Sequence, residues 1–476
     1  MRRRTSPRFA ALVLGVTTAL AACGERARER PDVVLVLVDT LRADYLGCYG
    51  FEGDVSQRLD RLAREGVLFE RCFTQAPWTK TAVASLLTSL HPEIHRVTTH
   101  EGWFGEDRTP PDPAARPAVQ RTEVLPGEAL TLAEALRAEG YETAAFVANP
   151  WIRADQGFSQ GFETFEEIES KDGGELLERV VPWLRERTSP RPLFLYLHFM
   201  DVHGPYAASD ADYEVLRESP SLGEPHAIEG REWRRIPGYL RQVPWFDSPS
   251  ARERRTWRAR YAAGVRAFDR HLGTLVDELA RADRLDSTLL AVTSDHGEEL
   301  MERDLWDHGD ALFDAETHVP LVMRLPYRAR AGERQAEVVS LIDLAPTILA
   351  LAGLHPLSGR PSGWQGRDLS RLSAGTPDPE AFSVGTAVKW HPRLLALRTA
   401  RHKLLCDLER GSLQVFDLER DPLERADLAP IEPELARALR AKLEAHMEEL
   451  GAAQPLTPGE VEISSDLRAR LEALGY

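Results

Sequence analysis

Residues 31–39 read PDVVLVLVD, and residues 288–296 read TLLAVTSDH. Both stretches are continuous apolar runs, and each leads into an acidic residue, Asp39 in the first and Asp295 in the second. An apolar run without polar alternation predicts a central strand of a parallel sheet, buried on both faces. Because ligands of open α/β sheets bind at the carboxyl ends of the strands, we expect Asp39, Asp295 and the adjacent His296 to face one site.

Predicted strands and helices alternate along the chain, which indicates an α/β fold with a mostly parallel sheet sandwiched by helices. The predicted strands are 33–38, 143–147, 193–199 and 288–293, and the predicted helices are 56–65, 131–139, 255–282 and 432–450. Two long segments rich in Pro, Asp, Arg and Trp, 104–123 and 207–249, break this pattern and are typical of active-site lids or disordered insertions.

From about Glu380 the pattern changes to short strands with turns, followed by the amphipathic helix and a polar tail. This change predicts a small C-terminal α+β subdomain. We therefore place the main α/β domain at residues 31–375 and the C-terminal subdomain with its helical tail at residues 376–476.

The first 23 residues have the pattern of an export signal. Four arginines among residues 2–8 precede an apolar run, 9–22, that is too short to span a bilayer comfortably. The run ends in LAAC at residues 20–23, which resembles the lipobox of bacterial lipoprotein signal peptides, where the cysteine receives the lipid. We predict a lipoprotein signal peptide over 1–23, a linker over 24–30, and a periplasmic or cell-envelope protein that is lipid-anchored to a membrane through Cys23. An ordinary secretory signal peptide with an incidental cysteine is the alternative.

The charge of the chain argues against one class of partner. The 476 residues include 59 Lys and Arg against 75 Asp and Glu, a formal net charge of −16. Without a basic aromatic stripe, such a chain is not built to bind nucleic-acid phosphates, so we expect no nucleic-acid partner. Cys48, Cys72 and Cys406 match no metal-binding spacing, and we expect buried free thiols, with one disulfide as the alternative.

Four segments that are distant in sequence carry polar residues suited to one centre for a sulfate or phosphate ester. They read VDTLR at 38–42, APWT at 76–79, DVHGPY at 201–206 and SDHGE at 294–298. Cleavage of an oxyanion ester needs a cation to neutralise charge, a nucleophile beside that cation, and an acid for the leaving oxygen. The four segments contain residue types for all three tasks.

Together these segments resemble the conserved segments of the sulfatase family, within the alkaline phosphatase superfamily. WDHG at 306–309, VPL at 319–321 and FDLERDPLE at 416–424 extend the resemblance, in the order of the family, over about residues 31–428. The resemblance implies a divalent metal ion bound by Asp39, Thr79, Asp295 and His296. It also implies that Thr79 is the nucleophile, and that His203 and His308 bind the ester oxygens or assist the leaving group.

Ordinary structural roles stay open for the same residues. Asp39 could cap a helix after its strand, Asp295 and His296 could form a turn, and His203 could be a loop residue. Lys80 and Arg42 could face the anion, with Lys80 the stronger candidate for substrate binding, although a solvent-exposed charge is the ordinary expectation for each.

The nucleophile segment departs from the family pattern. Common sulfatases have Cys or Ser, any residue, Pro, Ser and Arg, and the first residue is oxidised to formylglycine; residues 79–83 here read TKTAV. A formylglycine mechanism is therefore not expected. Direct attack by Thr79, through a covalent threonine ester, resembles the phosphoglycerol- and phosphoethanolamine-transferase branch of the superfamily and favours phosphodiester or phosphonate ester chemistry. A degenerate site that only binds an anionic ligand is the other alternative.

The predicted metal ligands also depart from the family. Thr40 stands where a second acidic residue is usual, and His296 stands where asparagine is usual. Fewer carboxylates and one imidazole suit Mn²⁺ or Zn²⁺ better than Ca²⁺, and Mg²⁺ stays open. The expected substrate is an anionic sulfate or phosphate ester of a small molecule, glycan or lipid. The sequence does not predict an oligomeric state.

Overall fold

The computed structural model describes residues 30–98, 100–101, 121–206, 208–222, 251–303, 305–309, 311–354, 363–372, 381–385, 394–408 and 410–474. The predicted signal peptide with Cys23, and most of the segments 104–123 and 207–249, lie outside these residues. Among the described residues, no helix is both long enough and apolar enough to cross a membrane.

An eight-stranded mixed sheet forms the centre of the main body. Its strands are β1 (Asp32–Val38), β2 (Val67–Phe73), β5 (Glu142–Val147), β6 (Thr164–Glu167), β7 (Leu193–Phe199), β8 (Thr288–Ser294), β11 (His318–Arg324) and β12 (Glu333–Ser340). Their order is β12-β2-β11-β8-β1-β7-β5-β6. β11 runs antiparallel to β2 and β8, and the other neighbouring pairs are parallel. The predicted fold class, a mostly parallel α/β sheet, is confirmed.

β1 shows why this sheet is central. Its side chains alternate between two separate apolar clusters, with Val33, Leu35 and Leu37 in one and Val34, Val36 and Val38 in the other. The first cluster is covered by α2 (Thr79–Thr88), α4 (Leu132–Ala138) and α9 (Leu344–Leu351). The second is covered by α1 (Gln57–Glu65), α5 (Gly173–Glu186) and α7 (Ala251–Arg281). A strand with helices on both faces must be apolar throughout, and β1 is.

The predicted elements agree closely with the observed ones. The start of α4 is set by a capping box, in which the Thr131 hydroxyl accepts from the Glu134 amide at 3.1 Å and the Glu134 carboxylate accepts from the Thr131 amide at 2.9 Å. α7 begins at Ala251, four residues before the predicted start. The described parts of the two long segments hold β4 (Arg121–Val124) and α6 (Asp210–Leu216), which the sequence analysis did not predict.

A second layer forms the C-terminal subdomain. Four antiparallel strands, β13 (Ala381–Gly385), β14 (Leu394–Arg398), β15 (His402–Asp407) and β16 (Ser412–Asp417), pair in sequence order. The long helix α10 (Pro433–Ala452) packs Ala436, Leu439 and Leu443 against Leu404 and Val415 of this sheet. An antiparallel sheet with one covered face needs apolar residues only at alternate positions. Its sequence therefore lacks the continuous apolar runs of β1 and β8 and shows short strands separated by turns.

The last residues of the chain return to the main body. β17 (Gly459–Glu462) pairs with β4, which also pairs with β3 (His100–Glu101). Leu467 and Leu471 of α11 (Ser465–Ala473) join the apolar cluster that holds Leu35 of β1. The tail is thus part of the core of the main body, in a cluster that also contains Leu450 from the end of α10. Cys72 and Cys406 are buried free thiols, as expected, and Cys48 is a half-buried free thiol.

Candidate active site

Asp39 and Asp295 are adjacent because their strands are adjacent. β1 and β8 pair in parallel with Val38 opposite Ser294, so the next residue of each strand leaves the sheet at the same edge. Thr40 takes the left-handed conformation at φ 59°, and its amide donates to Asp295 Oδ1 at 3.2 Å. The His296 amide donates to the same oxygen at 2.9 Å. No described residue donates a hydrogen bond to Asp295 Oδ2, although Asp295 is fully buried.

Asp39 has one bonded and one unbonded carboxylate oxygen in the same way. Its Oδ2 accepts from the Asn149 amide and lies 3.4 Å from His198 Nε2. Its Oδ1 is buried and has no hydrogen-bond partner among the described residues. Two unbonded, fully buried carboxylate oxygens at one sheet edge are a costly arrangement unless a cation occupies the space that they face.

Thr79 and His296 face the same place. His296 Nδ1 lies 2.9 Å from the carbonyl oxygen of Gly297, so Nδ1 donates to the backbone and Nε2 carries the lone pair. Nε2 lies 3.1 Å from Thr79 Oγ1, 3.5 Å from Asp295 Oδ2 and 3.9 Å from Asp39 Oδ1. Thr79 is the buried first residue of α2.

These four side chains fit a divalent metal ion by the chemistry of their donor atoms. They offer two carboxylate oxygens, one imidazole nitrogen with a free lone pair, and one hydroxyl, all buried. Mn²⁺ and Zn²⁺ accept such a mixed oxygen and nitrogen set. The residues that the sequence predicted as metal ligands, Asp39, Thr79, Asp295 and His296, are therefore brought together.

The electrostatics of the two carboxylates also call for a cation. Burial raises the pKa of both groups, but His203, His198 and His296 bring the pKa of Asp39 below its usual value, whereas Asp39 adds to the increase in the pKa of Asp295. Without a cation the pair must share a proton, because two like charges cannot both be stable at this distance in a buried site. A divalent cation between them would let both ionise.

His198 and Asn149 are site residues that the sequence analysis did not identify. One atom from each of Asp39, His198 and Asp295 lies within 4.8 Å of the others, so His198 is a further possible ligand. Its Nδ1 lies 3.1 Å from the Tyr196 hydroxyl, which holds the ring in place. The signal available in the sequence was a histidine within an apolar predicted strand. The structure pairs this residue, His198 of β7, with Leu37 of β1.

His308 and His203 complete the centre. The His308 ring lies 4.4 Å from the His296 ring and 5.2 Å from the His203 ring. His308 Nδ1 lies 3.0 Å from Glu298 Oε1 and 3.1 Å from Asp307 Oδ1. Burial lowers the pKa of His308, but these two carboxylates raise it by more, so the imidazolium is favoured. Burial lowers the pKa of His203 to about 4, so its ring is neutral. The two histidines therefore differ in charge.

The turn after β8 positions this second group. Gly297 passes so close to Ala315 that an added Cβ would lie 2.0 Å from its carbonyl oxygen, which only glycine tolerates. The amides of Gly297 and Glu298 donate to the carbonyls of Glu316 and Ala315 at 2.8 and 2.9 Å. This pairing places the Glu298 carboxylate in contact with His308 Nδ1.

The expectation that Lys80 and Arg42 are solvent-exposed is wrong. Lys80 is 2% exposed and its ammonium donates to the Thr122 hydroxyl and to the carbonyl of Glu123 in β4. Arg42 is 4% exposed and pairs with Glu302 at 2.8 Å, among other partners. Burial is tolerated because each cation is hydrogen-bonded. Lys80 thus links α2 to the small sheet that contains β4 and β17, and these bonds use two of its three donors.

Comparison with known proteins gives a family match over most of the chain. A family model described as Sulfatase matches residues 31–354, and a model described as N-sulphoglucosamine sulphohydrolase, C-terminal, matches residues 302–453. Among curated proteins, the chain is similar to an ulvan-active sulfatase of Formosa agariphila, with 25% identity over 94% of this chain and 88% of that protein.

Solved structures share the fold. The phosphonate monoester hydrolase of Agrobacterium radiobacter superposes with a TM-score of 0.68 at 21% identity, covering 88% of this chain and 96% of the other. A protein solved with its substrate D-glucosamine-2-N,6-O-disulfate superposes with a TM-score of 0.66 at 18% identity, covering 90% of this chain and 99% of the other.

Proposed function

The chain belongs to the sulfatase family of hydrolases, and from this membership we propose that it is a metal-dependent sulfate ester hydrolase in which Thr79 is the nucleophile. One observation carries the proposal. Thr79 Oγ1 lies 3.1 Å from Nε2 of His296. The same place is faced by two buried carboxylate oxygens that have no hydrogen-bond partner among the described residues. A hydroxyl in this position is suited to nucleophilic attack.

The residues divide the work of the reaction. A divalent cation held by Asp39, Asp295, His296 and Thr79 would neutralise charge on the ester and lower the pKa of the Thr79 hydroxyl. The Thr79 hydroxyl releases its proton to water, and Oγ1 forms a bond to the sulfur atom while the bond from sulfur to the leaving oxygen breaks and that oxygen takes a proton from His308. In a second step water attacks the sulfur of the threonine ester and the bond from sulfur to Oγ1 breaks. One proton of that water restores the Thr79 hydroxyl, the other returns to His308, and sulfate leaves.

His308 is the proposed proton donor to the leaving oxygen. Its Nδ1 faces the carboxylates of Glu298 and Asp307, which stabilise the imidazolium and keep a proton on the ring. His203, the neutral histidine, is proposed to contact the ester oxygens from the other side. Two titratable groups whose environments push their pKa values apart suit an acid and a hydrogen-bond partner in one site.

A second candidate function is hydrolysis, or group transfer, of a phosphodiester or phosphonate ester. The observation that favours it is the threonine at the position where common sulfatases carry the formylglycine precursor, together with His296 as a nitrogen ligand. A phosphonate monoester hydrolase is also among the structures that share the fold. The proposed substrate is in either case an anionic ester of a small molecule or glycan, and the proposed lipid anchor at Cys23 would hold the enzyme at a membrane.

The decisive experiment compares two esters and two threonine variants. The purified protein, stripped of metal and reloaded with Mn²⁺, Zn²⁺, Mg²⁺ or Ca²⁺, is assayed on p-nitrophenyl sulfate and on bis-p-nitrophenyl phosphate. We expect Thr79→Ala to lower kcat by about 10⁴-fold or more, as loss of a nucleophile does. Thr88→Ala is the matched control, because it removes a buried hydroxyl from the other end of α2.

Each outcome has a clear meaning. Turnover of the sulfate supports the sulfatase proposal, and turnover of the phosphodiester alone supports the second candidate. Activity that survives in Thr79→Ala undiminished would exclude Thr79 as the nucleophile. Silence on both esters, with metal bound tightly, would support a degenerate anion-binding protein.

A further inference from the structure

Lys171 holds the loop that carries His203. The residue precedes Asp172, whose carboxylate accepts from the Gly174 amide at 2.7 Å and caps α5. The Lys171 ammonium donates three hydrogen bonds, to the carbonyl oxygens of His203 at 2.7 Å, Gly204 at 2.9 Å and Pro205 at 2.9 Å. All three donors of the lysine are thus directed at three consecutive backbone groups.

The same backbone group fixes the His203 ring. His203 Nδ1 lies 2.5 Å from the carbonyl oxygen of Gly204, the second acceptor of the Lys171 ammonium. Because Nδ1 donates to the backbone, Nε2 is the ring nitrogen that can contact the ester. The tautomer and the direction of the ring therefore depend on where the Gly204 carbonyl points, and Lys171 determines that direction.

The other end of the loop is held as well. Asp201 Oδ1 accepts from the Gly173 amide at 3.2 Å and from His271 Nδ1 of α7 at 2.9 Å. Gly264 of α7 passes so close that an added Cβ would lie 2.7 Å from the Asp201 carbonyl oxygen. Residues 171–173 and one face of α7 therefore hold the loop from Asp201 to Pro205 at both ends.

Burying a lysine ammonium at this position costs free energy. Burial lowers the pKa of Lys171 to about 8, and the carboxylates of Asp39, Glu298 and Asp201 act in the opposite direction. An ammonium group costs more to bury than an amide that could make similar hydrogen bonds. The three carbonyls and the carboxylates of the centre offset that cost, which ties the lysine to the site and not to the loop alone.

We propose that Lys171 is a positioning residue for His203, which acts by holding the Gly204 carbonyl that sets the tautomer and direction of the imidazole. This inference rests on the proposed function in one respect, namely that His203 contacts the ester. The geometry of Lys171, Gly204 and His203 stands apart from the identity of the ester and of the metal.

A double-mutant cycle tests the proposal by turnover. Lys171→Met, His203→Gln, the double variant and Lys442→Met are assayed in the full protein with its metal, on whichever p-nitrophenyl ester the wild type cleaves. Lys442 is exposed on α10 and controls for the loss of one positive charge. We expect Lys171→Met to lower kcat about tenfold to a hundredfold with little change in KM, as misplacement of a reacting group does. In the His203→Gln background the same change should cost nothing more.

The ring itself gives a readout that does not depend on turnover. Long-range ¹H–¹⁵N spectra of protein with ¹⁵N-labelled histidine, with the His203 signal assigned by its loss in His203→Gln, report which nitrogen carries the proton. We expect the Nδ1-protonated pattern in the wild type and its loss in Lys171→Met. Asp201→Asn, which breaks the ion pair to His271, gives a second variant if Lys171→Met does not fold, and it should perturb the same signal.

Two results would overturn the inference. One is a kcat loss in Lys171→Met that multiplies with that of His203→Gln, and the other is a His203 tautomer that both loop variants leave unchanged. A wild type that cleaves neither ester, but shows the expected change of tautomer, would contradict the proposed function and leave the role of Lys171 supported.

Discussion

Two buried clusters of charge, one formed by residues that precede α8 (Asp314–Thr317) in sequence and one that includes its first residue, are built on opposite principles. In the first, the centre of Asp39, Asp295 and His296, two carboxylate oxygens have no hydrogen-bond partner among the described residues. In the second, Lys403 of β15 lies 2.7 Å from Asp314 Oδ1 and 2.9 Å from Glu424 Oε1, with all three side chains largely buried. Within the described part of the chain, no lysine or arginine pairs with the carboxylates of the first cluster, whereas Lys403 pairs with both carboxylates of the second.

The second cluster ties the two parts of the molecule together. Arg398 of β14 lies 3.4 Å from Asp314 Oδ2, and the Asp314 amide donates to Glu424 Oε2 at 2.7 Å. Asp314 begins α8, which leads into β11 of the main sheet, whereas Lys403 and Arg398 belong to the C-terminal sheet. Burial raises the pKa of Asp314, but Lys403 and Arg398 lower it by more, so the carboxylate stays ionised.

The comparison of the two clusters shows how a buried charged group can be interpreted as structural or as part of a ligand site. A carboxylate that has its cation and its hydrogen bonds supports the fold, and removing a partner costs stability. A pair of carboxylates that each keep one buried oxygen without a hydrogen-bond partner is completed by a ligand, so it marks a place where the fold tolerates a cost in free energy for the sake of that ligand. Substitutions in the two clusters should accordingly have opposite profiles of activity and stability.

The largest expected effect is loss of activity in Asp295→Asn. The substitution removes one of the two negative charges proposed to bind the cation, so we expect kcat/KM to fall about a thousandfold or more. In the metal-free protein the pair no longer has to share a proton, because only Asp39 can ionise, and Tm should not fall. In the wild type a bound divalent ion should raise Tm, and in the variant that rise should be absent at the same metal concentration. Differential scanning fluorimetry with and without metal checks both statements, and a metal-free Tm well below that of the wild type would contradict them.

The second effect is loss of stability in Lys403→Met. The change leaves Asp314 and Glu424 as buried carboxylates without their shared cation, which typically costs about 3–5 kcal/mol in the free energy of unfolding. Arg410→Gln, in the turn between β15 and β16, is the matched control, because Arg410 pairs with Asp407 at 3.2 Å while being 62% exposed. An exposed pair of this kind contributes about 0–1 kcal/mol. Urea unfolding of the three proteins measures the difference, and equal losses in the two variants would remove the contrast between the clusters.

Much of the fold and of the centre was predictable because the relevant signals are local. The apolar runs of β1 and β8 predict buried parallel strands, and their parallel pairing then brings Asp39, Asp295 and His296 to one edge. Thr79 followed from a segment that resembles a family motif, and the structure places it 3.1 Å from His296.

The missed features depend on contacts between distant segments. His198 sits in an apolar strand and is brought to Asp39 only by the register of β7 on β1. Lys80 was expected in solvent, but β4, a strand with no clear sequence signal, meets its ammonium inside the protein. The return of the tail through β17 could not be predicted either, because a short polar strand has little propensity of its own and forms by pairing with β4.

Glu93 extends the comparison to a third case, a buried carboxyl group with neither a cation nor a metal site. Among the described residues neither of its oxygens has a hydrogen-bond partner, and burial raises its pKa from 4.5 to about 7. A single carboxyl group can meet this situation by keeping its proton, which the pair at the centre cannot do for both members.

The smallest expected effect follows from the sign of that shift. The pKa of Glu93 is raised in the folded state, so the folded protein binds the proton more tightly than the unfolded chain does. Stability should therefore be fully present below about pH 4.5, and should fall by about 3 kcal/mol as the pH rises through about 7. Glu93→Gln cannot ionise, so it should match the wild type near pH 4.5 and exceed it by about 3 kcal/mol at pH 8 in urea unfolding.

Glu65→Gln is the contrasting variant, since Arg61 lies 2.9 Å from Glu65 and contributes to a lowered pKa of that carboxyl group. Its stability relative to the wild type should fall with rising pH, opposite in sign to the Glu93 series. If both variants follow the same pH dependence, a buried carboxyl group without a partner does not differ from a paired one. The contrast between the two charged clusters would then not extend to Glu93.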